Sequence, residues 1–174
     1  MRQIALDTET TGLDYRTGHR IVEIGCIEII DGNITDNHFH SYLNPERDID
    51  EGAEKIHGLS ASFLSDKPLI KEVMPKFLDY LKGADYIVIH NAPFDVGFIN
   101  NEMKLCEIDT YLGAHAPIID TCARARLLYP REKNRLDDLC KRYSIDNSHR
   151  ELHGALVDAD LLARVYLKMG KGHV

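Results

Sequence analysis

What this chain has little of narrows its function first. No apolar run approaches the ~20 residues of a membrane span, so no membrane partner is expected. The start lacks the pattern of a signal peptide: one Arg precedes a short apolar stretch and then acids, and a cytoplasmic location is expected. Cys26, Cys106, Cys122 and Cys140 are scattered without C-x-x-C spacing. They read as reduced core residues and not as a disulfide framework or a zinc site. Positive charge is also short. Lys and Arg number 21 against 28 Asp and Glu, a net charge of −7. That argues against a nucleic-acid binder that relies on bulk electrostatics, and no large basic patch is expected. It does not argue against an enzyme whose acids hold metal ions, because those ions reverse the local sign. No repeat, low-complexity segment or internal linker interrupts the chain. With 174 residues, 44% of them hydrophobic, it reads as one domain, 1–174, with a sizeable core.

The most informative stretch is the opening one, Ile4-Ala5-Leu6-Asp7-Thr8-Glu9-Thr10-Thr11-Gly12. Its apolar alternation has the period of a β-strand. In that register Asp7 and Glu9 point to one face, with Cα atoms roughly 6.5–7 Å apart. Two such carboxylates repel unless a cation sits between them. A pair of divalent ions about 3.5–4 Å apart fits that spacing. D-x-E is short and common, however, and taken alone it reads first as an edge strand bearing two solvated acids.

Arg20 to Ile30 reads as a second strand, with Glu23 on its solvent side. Asp31-Gly32 signals a hairpin into a third strand around Asn37 to Leu43. Residues 44–68 form a polar connection with little periodicity. Within it Gly58 suits a helix stop or tight turn, and His57 reads as a surface residue. Pro68 opens an amphipathic helix closed by Gly83, with Pro75 inside it. Tyr86 to Ile89 is apolar throughout, as in a strand buried on both faces. A helix follows to about Met103, with Asn91 or Ala92 as cap, Pro93 in the first turn and Asp95 where the helix dipole favours negative charge. The stretch from Lys104 to Pro117 is irregular. Ile118 to Asp120 is a short strand, and helices follow over Thr121–Leu128, Arg135–Tyr143 and from Ala155 to about Met169. On an ideal helix His153 and Asp158 would lie about 140° apart. They converge only if His153 sits in the turn before the helix. The element order is that of an α/β domain with a mixed sheet.

Three segments together resemble the exonuclease motifs of the DnaQ-like family, the histidine branch of the DEDD superfamily. They are D-x-E-T-T-G from Asp7, H-N-A-x-F-D from His90, and H-x-x-x-x-D from His153. The likeness extends through I-V-E-I-G (Ile21 to Gly25), I-H-G (Ile56 to Gly58), L-D-D-L-C-K-R-Y (Leu136 to Tyr143) and I-D-N-S-x-R (Ile145 to Arg150). It covers nearly the whole chain and is strongest toward members that proofread for bacterial replicative DNA polymerases.

The resemblance implies an RNase H-like fold, a mixed β-sheet flanked by α-helices. It implies two divalent ions, Mg²⁺ or Mn²⁺, held by Asp7, Glu9, Asp95 and Asp158, with His153 as general base. By the same likeness His57 lies near the phosphate of the terminal nucleotide and Gly52 lines its pocket. The acid that relatives carry near Gly52 would have to come from Glu51 or Glu54. Thr8, Thr10 and Asn91 are further substrate-binding candidates, alongside Asp7, Glu9 and Asp158. The implied reaction is metal-dependent removal of 5′-mononucleotides from single-stranded, frayed or mismatched DNA 3′ ends. The implied partner is a DNA polymerase large subunit, bound through a C-terminal segment beyond Val174. Two alternatives remain: a free-standing exoribonuclease or oligonuclease with the same site, and a non-catalytic module of a replication assembly.

Overall fold

The computed structural model describes residues 1–170; Lys171 to Val174, where a C-terminal extension would attach, lie outside the described residues. Three strands, β1 (Arg2–Thr10), β2 (Ile21–Ile30) and β3 (Asn33–Tyr42), form an antiparallel meander. Two shorter strands, β4 (Tyr86–Ile89) and β5 (Ile118–Asp120), add in parallel, giving the order β3-β2-β1-β4-β5. β1 is therefore the central strand, with neighbours on both sides, and the edge-strand reading of Asp7 and Glu9 is removed. The hairpin turns at Asp31 (φ 48°) and Gly32 (φ 80°), both left-handed, as a two-residue type I′ turn requires. So tight a turn pairs Ile30 with Asn33, which is why β3 begins four residues earlier than expected.

Seven α-helices complete the described residues: α1 (Glu51–His57), α2 (Ala61–Leu64), α3 (Ile70–Leu81), α4 (Ala92–Leu105), α5 (Thr121–Leu128), α6 (Leu136–Arg142) and α7 (Ala155–Gly170). α1 and α2 occupy the connection expected to lack periodicity. α1 ends at Gly58, left-handed at φ 72°, and Ser60 caps α2 by accepting from the Phe63 N–H. Pro75 sits inside α3 without ending it, and Asp120 caps α5 by accepting from the N–H groups of Cys122 and Ala123.

Both faces of β1 are buried, and this places the site. Ile4 and Leu6 pack with Phe77 of α3 and Phe98 of α4, whereas Ala5 packs with Leu139 of α6 and Leu162 of α7. Past Ala5 the second face turns from apolar to acidic, so the carboxylates of Asp7 and Glu9 emerge where the start of α7 crosses the sheet. The crossing is close. A Cβ on Gly25 of β2 would lie 2.4 Å from the Ala155 carbonyl carbon and the Leu156 nitrogen. These are backbone atoms and cannot swing aside. Gly25→Ala is expected to push the N-terminus of α7 off β2 at a cost of about 1–3 kcal/mol. Thermal melting and nuclease assays on one preparation check this, with activity falling further than stability. A variant with native melting and native turnover would show that α7 tolerates the shift.

Candidate active site

Three elements bring the four acidic side chains to the site, two of them from β1. In the β1–β2 register Asp7 lies opposite Gly25, and Glu9 opposite Glu23. The first turn of α4 brings Asp95 and the first turn of α7 brings Asp158. His153 stands in the loop before α7, pinned by its backbone N–H donating to the Ile56 carbonyl of α1 at 2.9 Å. These five residues line one cleft of about 190 Å³, with Thr8, Asn91 and Arg150. Ligand atoms of Glu9, His153 and Asp158 fall within 4.8 Å of one another. His153 and Asp158 therefore converge as the pre-helix placement requires, Nδ1 to Oδ2 at 3.8 Å.

Burial and mutual repulsion set the protonation of this cluster. Burial, then the charges of Asp95, Glu9 and Asp158, hold the Asp7 carboxyl well above its usual range. Burial, then Asp158 and Glu23, push Glu9 up to about 9. Asp95 is pushed up to about 7 by burial, against two hydrogen bonds from Thr8 that pull it down. The Thr8 backbone N–H (3.1 Å) and hydroxyl (2.6 Å) both donate to Asp95 Oδ1. Oδ2 of Asp7 is buried and has no hydrogen-bond partner. An orphaned carboxylate oxygen beside three further acids fits a hard cation, and the donor set of oxygens and one imidazole suits Mg²⁺ or Mn²⁺.

Arg150 is the functional side chain that sequence reasoning passed over, although it closes the I-D-N-S-x-R segment. Its Nε and Nη2 donate to the two oxygens of Asp158 at 2.6 and 2.7 Å, and Nη1 donates to Asp137 at 2.6 Å. Nη2 also lies 3.0 Å from Nδ1 of His153. A guanidinium only donates, so Nδ1 is the acceptor and carries the lone pair. Despite the neighbouring acids, the His153 pKa lies below its ordinary value. Burial lowers it, the Arg150 charge lowers it further, and Asp158 and Asp137 oppose both without reversing the direction.

Glu23, expected in solvent, is buried. Its Oε1 accepts from the Ala155 N–H at 2.8 Å and its Oε2 meets His40 Nε2 at 2.6 Å. It thus ties β2 to the start of α7. His57 is buried too. Its Nε2 donates to the Thr10 carbonyl (3.1 Å) and its Nδ1 accepts from the Leu59 N–H (3.0 Å). Burial lowers its pKa, so it offers a phosphate no cation. The Thr10 hydroxyl donates to the Gly12 carbonyl, shaping the turn after β1. Asn91 precedes α4 in the left-handed region, φ 62°, without a side-chain cap bond.

Beside the cleft, and sharing Thr8, Glu9 and Phe94 with it, lies an apolar cavity of about 360 Å³. Leu13 and Ile56 on its wall are 84% and 48% exposed, far more than a core would leave them. Gly52 and Ala53 form its floor with Asp50. Asp50, not Glu51 or Glu54, is the acid on this wall; Glu51 pairs with Lys55 on the outer side of α1.

Raised carboxyl pKa values have a defined stability consequence. At these carboxyls the folded chain binds protons that the unfolded chain releases, so their contribution to metal-free stability is fully present below the ordinary values of 3.8 and 4.5 and is lost as pH rises through about 7 for Asp95 and about 9 for Glu9. Asp7→Asn keeps the shape of the side chain and removes a carboxyl that burial and its acidic neighbours hold well above its usual range. In EDTA at neutral pH it is expected to melt at or above wild type, by on the order of 1 kcal/mol, and to lose less stability between acidic and alkaline pH. Melting curves across pH check this. A markedly less stable Asp7→Asn would mean that Asp7 supports the fold through an attractive partner.

A family model described as Exonuclease matches residues 4–166. The chain is 51% identical over 173 residues to the DNA polymerase III subunit epsilon of Rickettsia conorii, covering 99% of this chain and 75% of the relative. It is 49% identical over 175 residues to that of Pasteurella multocida, covering 98% and 69%. Among solved structures, Exonuclease X in complex with 5′ overhanging duplex DNA superposes with a TM-score of 0.74 at 29% identity, covering 98% of this chain and 90% of that one. Exonuclease I of E. coli in complex with a dA16 oligonucleotide gives 0.83 at 18% identity, covering 98% and 41%, a likeness of RNase H-like fold alone. With the carboxylates, the histidine and the matched family in agreement, the chain belongs to the exonuclease family, in its DnaQ-like branch, and is a 3′–5′ exonuclease.

Proposed function

We propose that the chain removes mononucleotides from the 3′ end of single-stranded or frayed DNA, using two Mg²⁺ or Mn²⁺ ions, and that it proofreads for a replicative DNA polymerase. One observation carries this reading: Asp7, Glu9, Asp95, Asp158 and His153, scattered over 152 residues of sequence, line a single cleft that opens onto an apolar cavity. The epsilon names of the relatives point to DNA and to a polymerase partner.

Asp7, Glu9, Asp95 and Asp158 would hold the ions. Bound there, divalent ions lower the pKa of the attacking water and neutralise charge gathering on the phosphoryl and leaving 3′ oxygens. The residues of the chain do the rest. His153 takes the water's proton at Nδ1, the atom with the lone pair. That uptake breaks the Arg150 contact and leaves Asp158 Oδ2 as the nearest acceptor. The apolar wall of Leu13, Ile56 and Phe94 takes the terminal nucleoside. Both nitrogens of His57 are held by backbone, so this side chain reads no base edge. A pocket that grips by apolar contact tolerates any base, and a mismatched end reaches it at lower cost because it unpairs more readily.

A fluorescent primer with a matched or mismatched 3′ end tests the reading. Mononucleotide release with Mn²⁺, faster from the mismatch and abolished by excess EDTA, is expected. Full activity in EDTA would overturn the role of the ions, and preference for an RNA strand would overturn the DNA assignment. His153→Ala is expected to lower turnover by roughly 10²–10⁴-fold while Mn²⁺ binding persists. Wild-type turnover should rise with pH below the ordinary histidine range and level near neutrality, since the His153 pKa is lowered. Unchanged turnover in His153→Ala would make the histidine a bystander.

A further inference from the structure

The net charge of −7 conceals a strong asymmetry. Residues 121–143 contain seven of the 21 basic side chains and only three of the 28 acidic ones. They form α5, the loop behind it and α6, directly beside the catalytic cleft. Most arginines elsewhere are committed: Arg2, Arg20, Arg150 and Arg164 each pair with an acid. Arg126, Arg131 and Lys133 are exposed, and their side chains have no hydrogen bond or ion pair among the described residues. Three uncompensated cations on an acidic protein mark a surface that meets negative charge.

Arg126 stands on α5, and the loop that carries Arg131 and Lys133 is held firmly. Asn134 donates from Nδ2 to the carbonyls of Tyr129 and Glu132, and its own carbonyl accepts from His90 Nε2 at 2.9 Å. Arg142 donates to Asn134 Oδ1 and to the Lys133 carbonyl, and its guanidinium lies 4.2 Å from the centre of the Tyr129 ring. His90 closes β4 one residue before α4 is capped, so the basic loop is fixed to the strand end that also presents Asn91. A second cavity of about 520 Å³ runs between them, with Arg126, Asn134, Arg135 and one acid, Glu132, on its wall. His90, Asn91 and Leu136 line both this cavity and the catalytic cleft. The apolar cavity joins the cleft at its other end, through Thr8, Glu9 and Phe94. The three spaces thus form one groove: apolar, then acidic, then basic.

We infer that the basic end of this groove, with Arg126 on its wall and Arg131 and Lys133 exposed on the adjoining loop around Asn134, is the track for the phosphodiester backbone of the strand behind its 3′ end. This rests on the exonuclease reading. A strand with its terminal nucleoside in the apolar cavity and its last phosphodiester at the carboxylates must leave across Asn91, toward Arg126. Contact is with phosphates and carries no sequence information, as a proofreading site requires. It also supplies the local attraction that the acidic protein as a whole lacks.

The test compares wild type with an Arg126→Ala/Arg131→Ala/Lys133→Ala variant of the full chain in Mn²⁺. Two substrates are used: a 12-nucleotide single strand and the p-nitrophenyl ester of thymidine 5′-monophosphate, which is too small to reach the loop. The variant is expected to raise KM for the strand about tenfold at low salt, and to flatten its salt dependence by about two in the log–log slope, at roughly 0.7 per phosphate contact. Turnover of the ester and kcat on the strand should stay within twofold. In wild type, KM should fall as the strand lengthens from two to eight nucleotides, and this part needs no variant. Arg126→Gln/Lys133→Gln repeats the first comparison should the triple variant melt early. Unchanged KM and salt slope would overturn the track, as would a wild-type KM that ignores strand length. Normal strand kinetics with lost binding to a polymerase large subunit would also overturn it, making the surface a protein interface. Wild type inactive on both substrates would instead overturn the exonuclease reading beneath it.

Discussion

Four carboxylates brought together by the fold are the constraint on which the rest of this structure depends. Like charges at such separations cannot all ionise in a buried cleft without a counter-charge. The chain meets this in three ways. Asp95 is stabilised by two hydrogen bonds from Thr8, and Asp158 by the bidentate hold of Arg150. Glu9 and Asp7, left without such donors, are pushed up, Glu9 to about 9 and Asp7 well above its usual range. The site is thus poised for divalent ions, whose charge replaces the protons and satisfies the one orphaned oxygen.

The architecture follows from the need to hold those acids at fixed distances. A central strand supplies two of them at a spacing set by the pleat. Placing β1 between β2 and β4 buries both faces, so the acids cannot drift with an edge. The start of α7 must then come within contact of β2 to deliver Asp158, and Gly25 permits it by having no side chain. Glu23 completes that junction by capping the Ala155 N–H, at the price of a fifth carboxylate whose charge further raises Glu9. His153 inherits its position from the same junction and from α1, through the Ile56 carbonyl.

Sequence periodicity revealed the parts of this arrangement whose causes are local. The period-two pattern placed Asp7 and Glu9 on one face, Asp31-Gly32 set the hairpin, and Gly58 and Gly83 stop helices in the left-handed region. It failed where the cause is distant. Glu23 is buried because Ala155, 132 residues away, donates to it, and His57 because the Thr10 carbonyl lies above it. Arg150 sits in a loop and draws its role from Asp137 and Asp158. α1 escaped notice because Ile56 faces the apolar cavity and not the core, so its seven residues show no core stripe. The five catalytic positions that the motif resemblance implies line one cleft, and the His57 that it sets near a phosphate has both ring nitrogens engaged with backbone.

The central claim is that the fold holds protonated acids which divalent ions displace. Calorimetric titration with Mn²⁺ near pH 7, in two buffers of different ionisation enthalpy, measures this directly. The account expects binding to release at least one proton per chain, since the Glu9 carboxyl is pushed up to about 9 and that of Asp7 is raised well above its usual range, and expects Asp7→Asn to release fewer. Binding with no proton release, or release unaltered by Asp7→Asn, would contradict it.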